Sequence, residues 1–520
     1  MKFKYLLLAL SIEITVTYGQ SIQKVMAIED MEFNNYFLNK NNIPRISGKI
    51  INLSPSEIRR IKIDYTIVTP MDEFQVKKTS FLNTDGSFEL PLVYAFPYQQ
   101  VWISVDSLFY TGIYATSDLY LEFDAAVLKT QKDLSFNGPG VKYLGKDGAL
   151  NDYTNNHILF RRKEQLEIDR QLQIILPTAR TNYSAFIKKY DSLYTALSEI
   201  DNEFIQLNPS AFSDFLLNER LSNYFADLCV VHWGKQMPSE LFEKIKSHKP
   251  FAISNDGMLF YNYLFIYLKL LAANKISSGN NFKTPTEGII QTIKLLDSLF
   301  ERSKADMFKI RFSSKDPKQY KQTIETTLPY INTVWCKNII IDEYSKTLDK
   351  LDSIEKILNS SKPISSKYPL GLPIAELSFG ARLYKVEGIN ADSLLTALKY
   401  SFKDKALLID FWATWCTPCI SQFPHSKKLS DESKDLPIEF IYLCTSESSD
   451  TDKWKTKIAE YKLSGTHIFV EKSIESSLMN IFSASGYPTY IFINRDGEYQ
   501  PGVLKRPSEL NKKELAELLK

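Results

Sequence analysis

Cysteine and histidine are both scarce in this chain, at five residues each out of 520. None of the histidines (His157, His232, His248, His425, His467) stands at a ligand-type spacing from any cysteine, so no metal site is expected. A surplus of charge of either sign is missing as well: 63 Lys and Arg against 61 Asp and Glu leave a formal charge of +2. That balance excludes the basic stripe of a nucleic-acid binder, and no nucleic-acid partner is expected. Long apolar runs are absent beyond the first twenty residues; Leu259 to Ala273 is broken by Asn262 and Lys269, short of the roughly 20 residues that cross a bilayer. No sequence repeat with a clear period runs through the chain, which argues against a solenoid.

What the chain has in quantity is aromatic residues, 29 Tyr and 32 Phe within a hydrophobic fraction of 44%, as in proteins with aromatic-rich sheets and helix cores. Its length is too great for one ordinary core and predicts about three or four domains. At the N-terminus, Lys2 and Lys4 precede a mostly apolar stretch from Tyr5 to Tyr18, interrupted by Glu13, and Thr17 and Gly19 are the small residues before Gln20. The stretch, at about 14 residues, is too short to span, and it predicts a signal peptide over 1–19, cleaved near Gly19, with export to the periplasm or cell envelope. No cysteine stands there to carry a lipid.

Export would put the remaining thiols in an oxidising compartment. Yet Cys229, Cys336 and Cys444 are odd in number, and each lies in an apolar run. They read as buried, unpaired core residues, with a Cys229–Cys336 bond as the alternative.

Along the chain the pattern changes three times. Over 43–130 the segments Ile46 to Ile51, Ile61 to Val68, Ser87 to Leu90 and Leu119 to Phe123 alternate or are β-rich, with a turn at Asp85-Gly86, and predict a β-sandwich domain. Over 137–358, Thr181 to Leu197, Ala211 to Val231, Leu259 to Ala273, Thr286 to Arg302 and Thr323 to Leu358 carry apolar residues at helical spacing, the last split or kinked at Pro329. Residues 359–371 are small, polar and proline-marked, a linker. From 372 to 520 strands and helices alternate, which implies a sheet covered on both faces. The expected fold class is therefore multidomain: an N-terminal β-sandwich, a central all-α region and a C-terminal α/β domain.

The most informative segment is Leu407 to Cys419, an apolar strand that runs into Trp415-Cys416-Thr417-Pro418-Cys419. Two thiols three residues apart can close on each other and reopen. With Pro418 in a first turn, Cys416 falls at the N-terminus of a helix, where free N–H groups and the macrodipole favour a thiolate.

Taken with Gly486-Tyr487-Pro488-Thr489-Tyr490-Ile491-Phe492-Ile493, the segment Asp410 to Cys419 resembles the thioredoxin fold, most closely the TlpA/ResA-type exported thiol-disulfide oxidoreductases. The resemblance covers roughly Leu372 to Lys520. The regions ahead of it resemble, more weakly, the long N-terminal extensions of such proteins in Bacteroidetes-like bacteria. It implies that Cys416 is the nucleophile and the more exposed of the pair, with a pKa near or below ~7, and that Cys419 resolves the mixed disulfide. Thr417-Pro418 differs from thioredoxin's Gly-Pro, so the direction of electron flow is not carried over; reduction of clients is the expectation. Pro488 matches the family's cis-proline, although sequence alone would make the bond trans, and Tyr487 before it would offer backbone groups to an extended substrate. Trp415, with Thr417 and Pro418, would form the docking surface, while Trp412 is core. Asp410 matches a buried acid behind the resolving cysteine, where many TlpA/ResA-type members have Asn; it is read either as a proton shuttle or as a structural carboxylate. Glu447 matches an acid near the dithiol, with a solvated loop acid as the alternative. His425, nine residues past Cys416 and ~13 Å along the axis, is read as surface.

The expected activity is an exported disulfide reductase with protein disulfides as substrates, apocytochrome c or misoxidised envelope proteins among the clients the family implies. It needs no cofactor and is recharged by a membrane electron donor. A peroxiredoxin-like peroxidase is the second reading, which WCTPC fits poorly. The third is an envelope binding or scaffold protein with an accessory thioredoxin domain.

Overall fold

The computed structural model describes residues 26–71, 75–106, 108–131, 136–276, 284–364, 370–499 and 504–520. The expected signal peptide, residues 365–369 of the expected linker, and residues 500–503 of the strand that the C-terminal alternation predicts from Tyr499 to Leu504 lie outside the described residues. Contacts divide the chain into two units, Met1–Glu343 and Tyr344–Lys520.

The first unit holds strands β1 (Arg45–Ile51), β2 (Lys62–Val68), β3 (Gln75–Phe81), β4 (Ser87–Glu89), β5 (Gln99–Val105), β6 (Phe109–Ala115), β7 (Asp118–Asp124) and β8 (Val141–Leu144). They form two four-stranded sheets, ordered β4-β1-β7-β8 and β3-β2-β5-β6. Alternate residues of both sheets, including Ile46, Ile50, Ile63, Tyr65, Val101, Ile103, Leu121 and Phe123, meet in one core, which makes the pair a sandwich. Within the first sheet, Gly48 of β1 leaves room for its paired neighbours, because a Cβ there would run into the Phe88 ring and the Leu121 carbonyl.

The same unit continues in helices Gly148–Ile175, Tyr183–Leu207, Ser213–Val231, Asn255–Ile276, Pro285–Leu299, Arg302–Lys309 and Pro317–Thr327. The segment expected to run from Thr323 to Leu358 is interrupted at Pro329, which sits in a single 3-10 turn before the helix Val334–Asn359. Cys229 and Cys336 are both free and buried, so the alternative of a bond between them is corrected: each fills core space beside apolar neighbours. Asp201, fully buried, accepts from His157 Nε2 at 2.7 Å and from Arg220 Nε at 2.9 Å, so the charge it buries is paired.

The second unit is a six-stranded sheet of β9 (Leu372–Glu376), β10 (Ala381–Val386), β11 (Ala406–Trp412), β12 (Ile438–Thr445), β13 (Gly465–Val470) and β14 (Thr489–Ile493), ordered β14-β11-β12-β13-β10-β9. The inner strands run parallel, while β14 and β9 are antiparallel. Every residue of β11 and β12 is buried, as expected of strands covered on both faces. Helices Ala391–Ser401 and Lys472–Ile481 supply Leu394, Leu398, Ile474 and Leu478 to a core with Ile409 and Phe411. On the other face, helices Thr417–Glu432 and Thr451–Tyr461 supply Phe423, Trp454 and Ile458 to a core with Leu408 and Trp412.

Candidate active site

The strand β11 ends at Trp412, and five residues later the helix Thr417–Glu432 begins with Pro418 in its first turn. Cys416 is the N-cap of that helix: its sulfur accepts from the Cys419 N–H at 3.2 Å, in the way a capping oxygen would. Cys416 and Cys419 are joined in a disulfide with Cα atoms 5.3 Å apart.

In this closed state Cys416 is only 3% exposed, against the expectation of an open sulfur, and Cys419 is wholly buried. Bonded to Cys419, the Cys416 side chain is drawn into the core that holds Trp412, Ala413 and Phe423. The accessible surface belongs to its neighbours: Trp415 is 50% exposed, and Thr417 and Pro418 are exposed. Trp412 is buried and its ring meets Phe423 edge-on, while His425 is exposed on the far part of the helix.

The rim is made by loops from elsewhere in the unit. Trp415 Nε1 donates to the Glu447 carbonyl at 2.9 Å, and its ring stands at 90° to that of Tyr487, 5.6 Å away. The Tyr487–Pro488 peptide bond is cis. The Glu447 carboxylate is half exposed and pairs with Lys472 at 2.7 Å.

Beneath the dithiol, Asp410 shares a strand face with Leu408 and Trp412, the face on which Cys416 and Cys419 pack. It is fully buried, neither of its oxygens has a hydrogen-bond partner, and burial pushes its carboxyl well above the usual carboxylate range. Register places Tyr490 opposite it on β14, Tyr442 on β12, and His467 next to Tyr442 on β13. The Tyr442 and His467 rings stack at 4.6 Å; burial pushes the His467 imidazole down to about 3, and its Nε2 donates to the Leu463 carbonyl. A row of polar groups, Tyr490-Asp410-Tyr442-His467, thus crosses four strands in an otherwise apolar core.

Sequence reasoning singles out Asp410 but misses Tyr442, Tyr490 and His467, which only strand register brings to it. Glu475 and Lys472, which meet Tyr487 and Glu447, are also missed, since an acid and a lysine on a short helix look solvated. Among the described residues no group of acidic, Cys and His side chains could hold a metal.

Residues 381–513 match the family model described as Redoxin. The thiol-disulfide oxidoreductase ResA of Bacillus thuringiensis subsp. konkukian is 28% identical over 120 residues, covering 23% of this chain and 64% of the relative. The ResA protein of Halalkalibacterium halodurans is 31% identical over 94 residues, 18% of this chain and 51% of the relative. The chain therefore spans about half to two thirds of the length of these relatives. Among solved structures, the thioredoxin domain of a thiol-disulfide oxidoreductase from Bacteroides vulgatus is 22% identical with a TM-score of 0.21, covering 23% of this chain and 84% of that one. A thiol:disulfide interchange protein from Bacteroides sp. is 21% identical with a TM-score of 0.21, over 23% of this chain and 75% of that one.

Proposed function

We propose, from the premise that the C-terminal unit is a thioredoxin-superfamily domain of the Redoxin kind, that this chain is an exported thiol-disulfide oxidoreductase that reduces protein disulfides. The observation that carries the reading is the Cys416–Cys419 disulfide at a helix N-terminus, with Trp415 touching the Tyr487 that precedes Pro488.

In the reduced chain the Cys416 thiolate attacks one sulfur of a client disulfide; that S–S bond breaks, and the second client sulfur leaves as a thiolate. Cys419 then gives up its proton and attacks the Cys416 sulfur, releasing the other client thiolate and leaving Cys416–Cys419 oxidised. The two electrons lost by the dithiol are the two gained by the client. The ionised form of Asp410, whose share grows with pH, accepts the Cys419 proton: it lies on the same core face, and its raised pKa brings it nearer to a thiol than an ordinary carboxylate would be. Trp415, Thr417, Pro418 and the Tyr487-Pro488 edge receive the client chain. Two electrons from a membrane donor restore the dithiol. Export rests on the basic and apolar pattern of residues 1–19.

The test is to express a Cys419→Ala variant in cells and identify what is trapped on Cys416. Protein partners released by reductant are expected; recovery of small thiols alone would overturn the reading.

A further inference from the structure

Around the rim of the dithiol, five side chains from four separate segments form a closed circuit. Trp415, on the loop leading to Cys416, donates through Nε1 to the Glu447 carbonyl, 2.9 Å away, and meets the Tyr487 ring edge-on. Tyr487 donates its hydroxyl to Glu475 Oε1 at 2.6 Å. The other oxygen of Glu475 pairs with Lys472 Nζ at 3.2 Å, and the same ammonium pairs with the Glu447 carboxylate at 2.7 Å. The path Trp415–Tyr487–Glu475–Lys472–Glu447 returns to the indole where it began.

The members differ in burial in a way that orders their roles. Glu475 is 3% exposed at its side chain and stands on the helix Lys472–Ile481, whose Ile474 and Leu478 are core residues, so it is the fixed point. Trp415 is half exposed, and a loop indole with that much freedom would sample several rotamers. The circuit removes that freedom twice, by holding the indole N–H and by setting a ring against it. A phenol donating to a buried carboxyl oxygen at 2.6 Å is a short and directional restraint. Hydrogen bonding to Glu447 and Glu475 also raises the Lys472 ammonium above the ordinary lysine range.

We propose that Lys472 and Glu475 are positioning residues of the redox site, which hold Trp415 and the Tyr487-Pro488 loop preset for an extended, disulfide-bearing polypeptide. The proposal rests on the oxidoreductase reading above. Presetting lowers the ordering cost when a polypeptide docks, and it does nothing for a small disulfide that reaches the sulfur without touching the rim. The signature is therefore a loss confined to protein clients and to KM.

The experiment uses the full chain with dithiothreitol as reductant and two substrates, insulin and bis(2-hydroxyethyl) disulfide. For Glu475→Gln and Lys472→Met, KM for insulin is expected to rise at least fivefold with kcat within twofold, while turnover of the small disulfide stays within twofold. Lys472→Arg, which keeps the charge, is expected to stay near wild type. Unchanged insulin KM in both Glu475→Gln and Lys472→Met would overturn the proposal, and so would equal losses on the two substrates, which would assign these residues to the fold alone. Lys472 is half exposed, so its replacement leaves the core intact. A wild-type chain inert toward both disulfides would overturn the oxidoreductase reading together with this proposal, whereas an active wild type with indifferent variants overturns this proposal only.

Discussion

Asp410 holds a carboxyl group with two unpartnered oxygens at a fully buried position, and a charge there would lack any compensation. The native acid therefore keeps its proton to higher pH than the unfolded chain does. With rising pH the unfolded state loses that proton first, so this residue's stability contribution is complete below about pH 4 and declines above it. Asp410→Asn is accordingly expected to raise the melting temperature at pH 8 and to leave it unchanged near pH 4, as thermal scans at the two pH values will show. The same substitution should slow resolution of the mixed disulfide on the order of 10²-fold and abolish the rise of that rate with pH, measured in single turnovers. At Cys229, Cys336 and Cys444 burial pushes all three thiols up and closes them to reagent. Native oxidised protein is expected to give no reaction with a chromogenic aryl disulfide, and denatured unreduced protein three equivalents, one for each free cysteine.

At the scale of elements, Gly48 of β1 is packed tightly against its own sheet neighbours on β4 and β7. Gly48→Ala puts a methyl group against the Phe88 ring and the Leu121 carbonyl and is expected to destabilise the first unit by about 1–3 kcal/mol, measured by denaturant unfolding. Elements whose burial is apolar and local were legible in the sequence: β11 as an unbroken hydrophobic run, the dithiol helix from its proline, β1, β2, β4 and β7 from alternation. Strand β3 was not, because it is largely exposed and Lys77 and Lys78 interrupt any alternation. The helix Gly148–Ile175 was missed for the opposite reason, since part of its inward face is polar. There Asn151 bonds to the Tyr114 backbone N–H at 2.7 Å and carbonyl at 2.8 Å, so burial is satisfied without an apolar stripe. In the site, the motif residues were legible because chemistry fixes their spacing; Glu475 and the tyrosines beside Asp410 were not, because only tertiary contacts give them a role.

For the whole molecule, opposing buried groups set the response to pH. Burial pushes His248 down to about 4, helped by the Lys304 cation, and this histidine's contribution is lost as pH falls below about 6.5 toward that value. Burial, reinforced by Asp256, pushes Glu219 up to about 8 from 4.5, so its contribution falls as pH rises across that interval. Glu219→Gln is therefore expected to stabilise the protein at pH 8 and to match wild type at pH 4, read by calorimetry. The protonated state of the three spare sulfurs matters for endurance as much as for assay design. One of them, Cys444, lies in the very core that houses the Cys416–Cys419 pair, yet burial pushes its thiol up and so disfavours the thiolate that exchange needs. The Cys416–Cys419 pair is thus the single live contact of the chain, with the other sulfur wiring insulated by burial against exchange from within.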